Sequence, residues 1–429
     1  MHETHSPDPL ELRPEATEAP PQKLGWKGFF KYFGPGIIAA VAYIDPGNYG
    51  TDISAGASFG YTLLWAVLLA NLMGMLLQYL SGKIGIATGK SLAELIRGSL
   101  KTRRRIIPYW LSCEIFAVFT DLAEFLGVTS ALYLLSGGRI PLLYAAWISA
   151  FDVIVIFALA GRKFRRLELL ITLLVFGIGM GYVYEIFVVR PSAIAVAAGM
   201  LIPIISSNDQ LILVVGIVGA TVMPHALIIQ SWLTKNKTIE LGGDKKQMLR
   251  FHTLDTTTTF IGASLINMAI LIMAAAAFFL QGLNVATIND AYTTLIPLFG
   301  IAASIIFAVT LLFSGISSST VGVMAGQAIL EGLLGSKLNP WFRRIILRVI
   351  NVIPTSLAIM AGLDPLLLLT YSQVVLSLLI PLPLIPLVYY TCKKSVMGEF
   401  VNKPIVIALA LLTTGVIITL NVLLLVTIF

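Results

Sequence analysis

Long apolar runs constrain this chain more than any other feature. Eleven of them, separated by polar breaks, cover residues 34–56, 61–82, 107–136, 140–160, 167–189, 210–233, 254–281, 291–330, 345–362, 365–391 and 404–428. A helix needs about 20 apolar residues to cross the hydrocarbon core of a bilayer, and each run is near or above that length. The 429 residues are 57% hydrophobic and 12% charged, against roughly 25% charged residues in soluble domains. That balance excludes a soluble enzyme or soluble binding domain. It predicts an all-α polytopic membrane protein with about 11 transmembrane helices.

Charge sets the expected orientation. With the N-terminus placed in the cytoplasm, the segments on that side hold 27 of the 29 Lys and Arg residues; only Arg139 and Arg190 fall outside. The positive-inside rule then gives a cytoplasmic N-terminus and an external C-terminus. It also accounts for the net charge of +7 without a nucleic-acid partner. Residues 1–32 are polar, rich in Pro and Glu, and lack the apolar stretch of a secretory signal, so they read as a disordered cytoplasmic tail. Cys113 and Cys392 both fall near cytoplasmic helix ends. A disulfide is not expected there, and two thiols make no zinc motif. No obligate protein partner is evident, and the short loops point to a prokaryotic inner (plasma) membrane.

Two spans are interrupted. The first carries Asp45-Pro46-Gly47-Asn48 at its middle and the sixth carries Met223-Pro224-His225. Proline removes a backbone donor and blocks the carbonyl four residues back, while glycine gives the chain room to turn. Irregular backbone at membrane depth persists only where it is buried in protein or lines a cavity. Broken spans five apart match two inverted five-helix repeats, here residues 33–190 and 209–391, with an eleventh helix at 404–428. Corresponding broken segments in two halves are the best sequence pointer to a transporter's substrate site. The plainer reading is a pair of proline kinks, but polar residues flank both.

The polar residues in these spans suggest a cation. Asp45 at mid-membrane costs at least ~2.5–3.5 kcal/mol if uncompensated, so it calls for a metal, a proton or an Arg. Asn48 offers an amide oxygen, and carbonyls near Ala42 and Ala220 can add more, a hard-oxygen set. Met223 shifts that set: a thioether suits Mn²⁺ or Fe²⁺ better than Ca²⁺ or Mg²⁺, although most helical Met residues are packing residues. His225, two residues on, points elsewhere and fits proton handling or structural bonding better than ligation. In the third span Glu114, Asp121 and Glu124 share one helix face, the pattern of a proton relay. Arg343 and Arg344 open the ninth span, as counter-charges to these acids or as plain positive-inside anchors. Asp52 follows the first break and is expected to bond freed backbone groups, with Pro46, Gly47 and Pro224 shaping the breaks. Gln373 in the tenth span is a metal-ligand candidate, though such a Gln is more often interhelical glue.

Asp45-Pro-Gly-Asn48 together with Ala220-Thr-Val-Met223-Pro-His225 resembles the Nramp family, the natural resistance-associated macrophage proteins. The likeness runs from about Phe33 onward. It takes in Thr51-Asp52, Thr120-Asp121-Leu-Ala-Glu124, Arg343-Arg344 and Ser372-Gln373-Val-Val. The resemblance implies proton-coupled import of divalent transition metals on the inverted-repeat fold shared with the amino-acid transporter LeuT. It implies Asp45, Asn48 and Met223 as metal ligands, carbonyls of Ala42 and Ala220 in different states, and Gln373 in an outward-facing state. It also implies a separate proton route along Asp121, Glu124 and the Arg pair, with His225 near its start. Mn²⁺ or Fe²⁺ is then the cargo, with Cd²⁺ and Co²⁺ as further candidates, and no resident cofactor is expected. Two positions depart from the family: Ala226 stands where Asn is common, and Gln230 where a second His is common, which bears on pH dependence.

Rival readings explain less. A sodium-coupled amino-acid or organic-cation symporter of the same fold leaves Met223 and the acids of the third span without a role. A Mg²⁺-type relative would replace the Met. A channel would need a repeated filter, and a hydrolase would need HExxH, a nucleophile elbow or a phosphate loop; none is present in the sequence.

Overall fold

A computed structural model of the chain describes residues 25–151, 164–283, 285, 287–336 and 340–428. In order, the helices are α1 (Trp26–Tyr32), α2 (Pro35–Val41), α3 (Pro46–Phe59), α4 (Leu64–Thr88), α5 (Leu92–Leu100), α6 (Arg103–Leu135), α7 (Leu142–Ser149) and α8 (Phe164–Val189). They continue as α9 (Ala193–Leu201), α10 (Asn208–Val222), α11 (Pro224–Leu241), α12 (Lys245–Ala277), α13 (Ile288–Phe299) and α14 (Ile301–Leu334). The last are α15 (Pro340–Met360), α16 (Pro365–Leu379), α17 (Pro381–Cys392), α18 (Lys394–Met397) and α19 (Pro404–Ile428). The described residues contain no strand. This is what a bilayer demands, because each helix satisfies its own backbone. Eight helical stretches are long and apolar enough to cross a membrane. Two shorter apolar helices, Pro35–Ile44 and Ile350–Met360, lie in the expected first and ninth spans, and α7 opens the expected fourth span, which continues outside the described residues.

The ends of these helices are written in their sequence. Gly89, Gly242 and Gly335 terminate α4, α11 and α14 at φ of 64°, 58° and 67°, the left-handed conformation that closes a helix without a Cβ clash. Ser91 and Glu94 form a reciprocal capping box at α5, and Asp244 and Asp364 cap α12 and α16. Glu94 also pairs with Lys235 of α11 at 2.7 Å. Burial pushes the Glu94 carboxyl up, but the Lys235 ammonium and the Ser91 amide outweigh it and hold it below the usual glutamate range.

The helices meet through small residues. α6 and α14 make the most extensive contact, followed by α10 with α16 and α4 with α11. A Cβ on Gly315 of α14 would strike Val128 of α6 at 2.7 Å, and one on Gly127 of α6 would overlap the Pro46 ring. Close backbone approach of this kind replaces the hydrophobic drive that is missing between helices in lipid. Much of the apolar surface of α8, α9, α15 and α19 faces outward, as a lipid-facing rim requires.

Several boundaries differ from the sequence reading. Order begins inside the expected 1–32 tail: residues 26–32 form α1 and Tyr32 is fully buried. The single eighth run at 291–330 is two helices, because Gly300 at φ 89° turns the chain between α13 and α14. The amphipathic α5 and the short α9 had no counterpart among the apolar runs. The fourth span is described only to residue 151; residues 152–163, with Asp152, lie outside the described residues.

Candidate metal centre at two helix breaks

Each break follows from one proline. In the first, α2 runs into a single 3₁₀ turn at Ala42–Ile44, Asp45 is extended at φ −88° and ψ 166°, and Pro46 opens α3. In the second, only Met223 separates α10 from α11, which opens at Pro224. A proline at helix position N1 lacks the donor that would pair with the carbonyl four residues back. For Pro46 that carbonyl is Ala42, and for Pro224 it is Ala220. The two carbonyls expected from the sequence are therefore the two that the prolines release.

The freed groups of one break meet those of the other. Asp45 Oδ1 accepts from the Asn48 backbone N–H and from Asn48 Nδ2, both at 2.9 Å. Asn48 Nδ2 also donates to the Ala220 carbonyl at 3.0 Å, and Asn48 Oδ1 accepts from Thr221 Oγ1 at 3.2 Å. Ser314 of α14 donates to the Ile44 carbonyl at 2.6 Å, fixing the rim of the first break. Asp45 Oδ2 and Gln373 Oε1 are both buried and without a partner. The Gln373 amide and Asp45 Oδ2 both border the space that a Cβ on Gly47 would fill. Met223 is fully buried, in the same cluster as Ala42, Tyr43 and Ile44. Among the described residues no three His, Cys, Asp or Glu side chains gather. The donors here are of another kind: one carboxylate, two amides, backbone carbonyls and a thioether. That set suits a divalent ion between hard and soft.

A second polar group lies beside the first. His225 Nδ1 is 3.1 Å from Thr120 Oγ1, and both line a small cavity with Asp121, Gly322 and Gly326. Asp121 Oδ2 accepts from Asn351 Nδ2 of α15 at 2.6 Å. The Glu124 carboxylate lies against Gly322 of α14. Asp121 and Glu124 are buried, whereas Glu114 is half-buried two turns nearer the Arg103–Arg105 end of α6. Arg343 and Arg344 belong to α15, and their side chains lie outside the described residues.

One expectation is corrected. Asp52 does not bond the backbone at the break: it sits inside α3, fully buried, and neither carboxylate oxygen has a partner. The helix begins at Pro46, so its amides are already satisfied by the time the chain reaches residue 52. Asp45 does the capping instead, and the neighbouring Thr51 hydroxyl bonds back to the Gly47 carbonyl at 3.2 Å. Sequence reasoning also missed Thr221, Ser314 and Asn351. Asn351 was reachable, being a polar residue two turns after Arg344 and on the same face of that helix.

Comparison with known proteins agrees with this architecture. The family model described as natural resistance-associated macrophage protein-like matches residues 36–427. A protein of Granulibacter bethesdensis named divalent metal cation transporter MntH is 40% identical over 407 residues, covering 94% of this chain and 90% of its own. The crystal structure of a manganese transporter from Eremococcus coleocola, in complex with an aromatic bis-isothiourea substituted compound, superposes with a TM-score of 0.84 at 32% identity. It covers 95% of this chain and 89% of that one. MhsT in complex with L-phenylalanine shares the fold at a TM-score of 0.59 and 14% identity, covering 96% of this chain and 100% of that one, which shows a LeuT-like arrangement. The first two relatives are named as transporters, not enzymes. The chain belongs to the natural resistance-associated macrophage protein (Nramp) family.

Proposed function

We propose that this chain is a secondary active importer of divalent transition-metal ions, Mn²⁺ or Fe²⁺, coupled to proton entry by alternating access. One observation carries the reading. Asp45 Oδ2 at the first break and Gln373 Oε1 on α16 are buried and unpartnered, and both side chains border the space beside Gly47, while Asn48 Nδ2 reaches the Ala220 carbonyl of the second break, three residues before Met223. An anion so placed needs a cation, and a thioether beside oxygen ligands favours a transition metal over Mg²⁺ or Ca²⁺. The names of the relatives, a manganese transporter and a divalent metal cation transporter, support the same cargo.

In this reading Asp45, Asn48 and Met223 hold the metal, with Ala42, Ala220 and Gln373 joining in different states. His225, Thr120 and Asp121 around one cavity support a proton route that leaves the metal site toward Glu124. The Lys and Arg distribution supports a plasma-membrane protein with a cytoplasmic N-terminus and an external C-terminus. An inward-negative potential then drives a divalent ion inward by roughly 4.6 kcal/mol per 100 mV. The test is Mn²⁺ uptake into proteoliposomes containing a pH dye, with Mg²⁺ in excess. Saturable uptake that resists Mg²⁺ and acidifies the lumen is expected. Uptake abolished by Mg²⁺ contradicts the metal assignment, and uptake without acidification contradicts the coupling.

A further inference from the structure

Most helical threonine hydroxyls in this chain bond to their own helix, but Thr221, like Thr120 against His225, reaches across to another. Thr129, Thr234, Thr238 and Thr253 each bond back to the carbonyl four residues earlier on their own helix, the ordinary habit of a helical Thr. Thr221, in the last turn of α10, instead donates across to Asn48 Oδ1 on α3. Both residues are fully buried. The amide orientation of Asn48 is set on both ends: Nδ2 faces two acceptors, Asp45 Oδ1 and the Ala220 carbonyl, so Oδ1 is the end that meets the hydroxyl. That oxygen is the Asn48 atom able to bind a cation.

We propose that Thr221 is a positioning residue that acts through Asn48 as the site's own competitor. This rests on the reading of Asp45 and Asn48 as metal ligands. With no cation present, the Thr221 hydroxyl satisfies Asn48 Oδ1, a group that would otherwise be buried without a partner. When a cation takes that oxygen the hydroxyl gives way, and when the cation leaves the hydroxyl takes the oxygen back. The bond thus stabilises the empty site and weakens metal binding, which favours release.

The sign of the effect separates this role from plain structural support. Thr221→Val keeps the shape and removes the donor, so it destabilises the empty site alone. Mn²⁺ titration of purified full-length protein is expected to show tighter binding in Thr221→Val, by about five- to tenfold, the worth of one buried hydrogen bond. The rise in melting temperature on adding Mn²⁺ is expected to be larger, and maximal uptake rate lower. Thr221→Ser restores the donor and is expected to match the unsubstituted protein. Equal or weaker Mn²⁺ binding in Thr221→Val overturns the proposal. Asp45→Asn, run alongside, keeps the two failures apart. If Asp45→Asn binds Mn²⁺ normally, the metal-site reading itself fails; if it loses Mn²⁺ while Thr221→Val is unchanged, only the role of Thr221 fails.

Discussion

Among the described residues, Pro46, Pro224 and Pro381 each divide one membrane span into two helices, and they leave different consequences. Pro381 separates α16 from α17 and releases the Ser377 carbonyl, four residues back. There Asn421 of α19 closes the gap: its Nδ2 donates to the Ser377 carbonyl at 2.7 Å, and its Oδ1 accepts from Ser377 Oγ at 2.9 Å. The Ile380 N–H donates to the same carbonyl at 3.2 Å, so side chain and backbone together repair the interruption. At Pro46 and Pro224 the released groups meet across two helices, and Asp45 Oδ2 and Gln373 Oε1 are left over. A helix break that is fully repaired is architecture. A break that keeps buried, unpartnered oxygens is a place for a ligand, because such atoms cost free energy until something binds them.

This contrast can be attacked from both sides. The largest effect is expected at the open breaks. Gly47→Ala puts a methyl group where the Gln373 amide and the Asp45 carboxylate already stand. Overpacking of that kind costs about 1–3 kcal/mol, which here should appear as a loss of Mn²⁺ affinity of roughly ten- to a hundredfold. Unchanged affinity in a titration of the purified variant would mean that the space beside Gly47 is not part of the site.

The repaired break should answer in the opposite way. Asn421→Ala takes the partner from the buried Ser377 hydroxyl and leaves the Ser377 carbonyl with the Ile380 N–H alone, at a cost of about 1–3 kcal/mol in stability. A lower thermal unfolding midpoint is expected, with Mn²⁺ affinity unchanged. A variant that keeps its midpoint but loses Mn²⁺ affinity would reverse the distinction between the two kinds of break.

The smallest effect is expected far from all three breaks. Glu94 is held below the usual glutamate range by Lys235 and Ser91. A depressed carboxyl stabilises the fold above its unfolded value, and that contribution is lost as pH falls through the folded value. Stability of the unsubstituted protein should therefore fall faster on acidification below about pH 4.5 than that of Glu94→Gln. Matching acid profiles of thermal unfolding would show that the pair contributes nothing. Mn²⁺ affinity at neutral pH should be the same in both.

The open breaks were legible in sequence because proline stood beside glycine, aspartate or histidine inside an otherwise apolar run. The third was not. The tenth span carries Pro381, Pro383 and Pro386 in close succession, and only Pro381 opens a new helix; Pro386 sits inside α17. Hydropathy does not tell them apart. The partners of the site were hidden for a related reason. Thr221, Ser314 and Asn421 are ordinary residues for a helix interior, and which neighbour each one faces is decided by how helices cross, which no local pattern encodes. Asp52 shows the converse error: a polar residue just past a break suggested a backbone partner, but a helix that starts at proline closes its own amides within a turn. The tail boundary failed because α1 is too short for periodicity to reveal, and Tyr32 is held by packing against α4 and α12.

The most direct test of the account is a Mn²⁺ titration of the purified protein and of Asp45→Asn, each in excess Mg²⁺. The account predicts saturable Mn²⁺ binding that survives Mg²⁺ in the unsubstituted protein and a loss on the order of a hundredfold in Asp45→Asn, where the buried charge is gone. Equal Mn²⁺ affinity in the two proteins would contradict it.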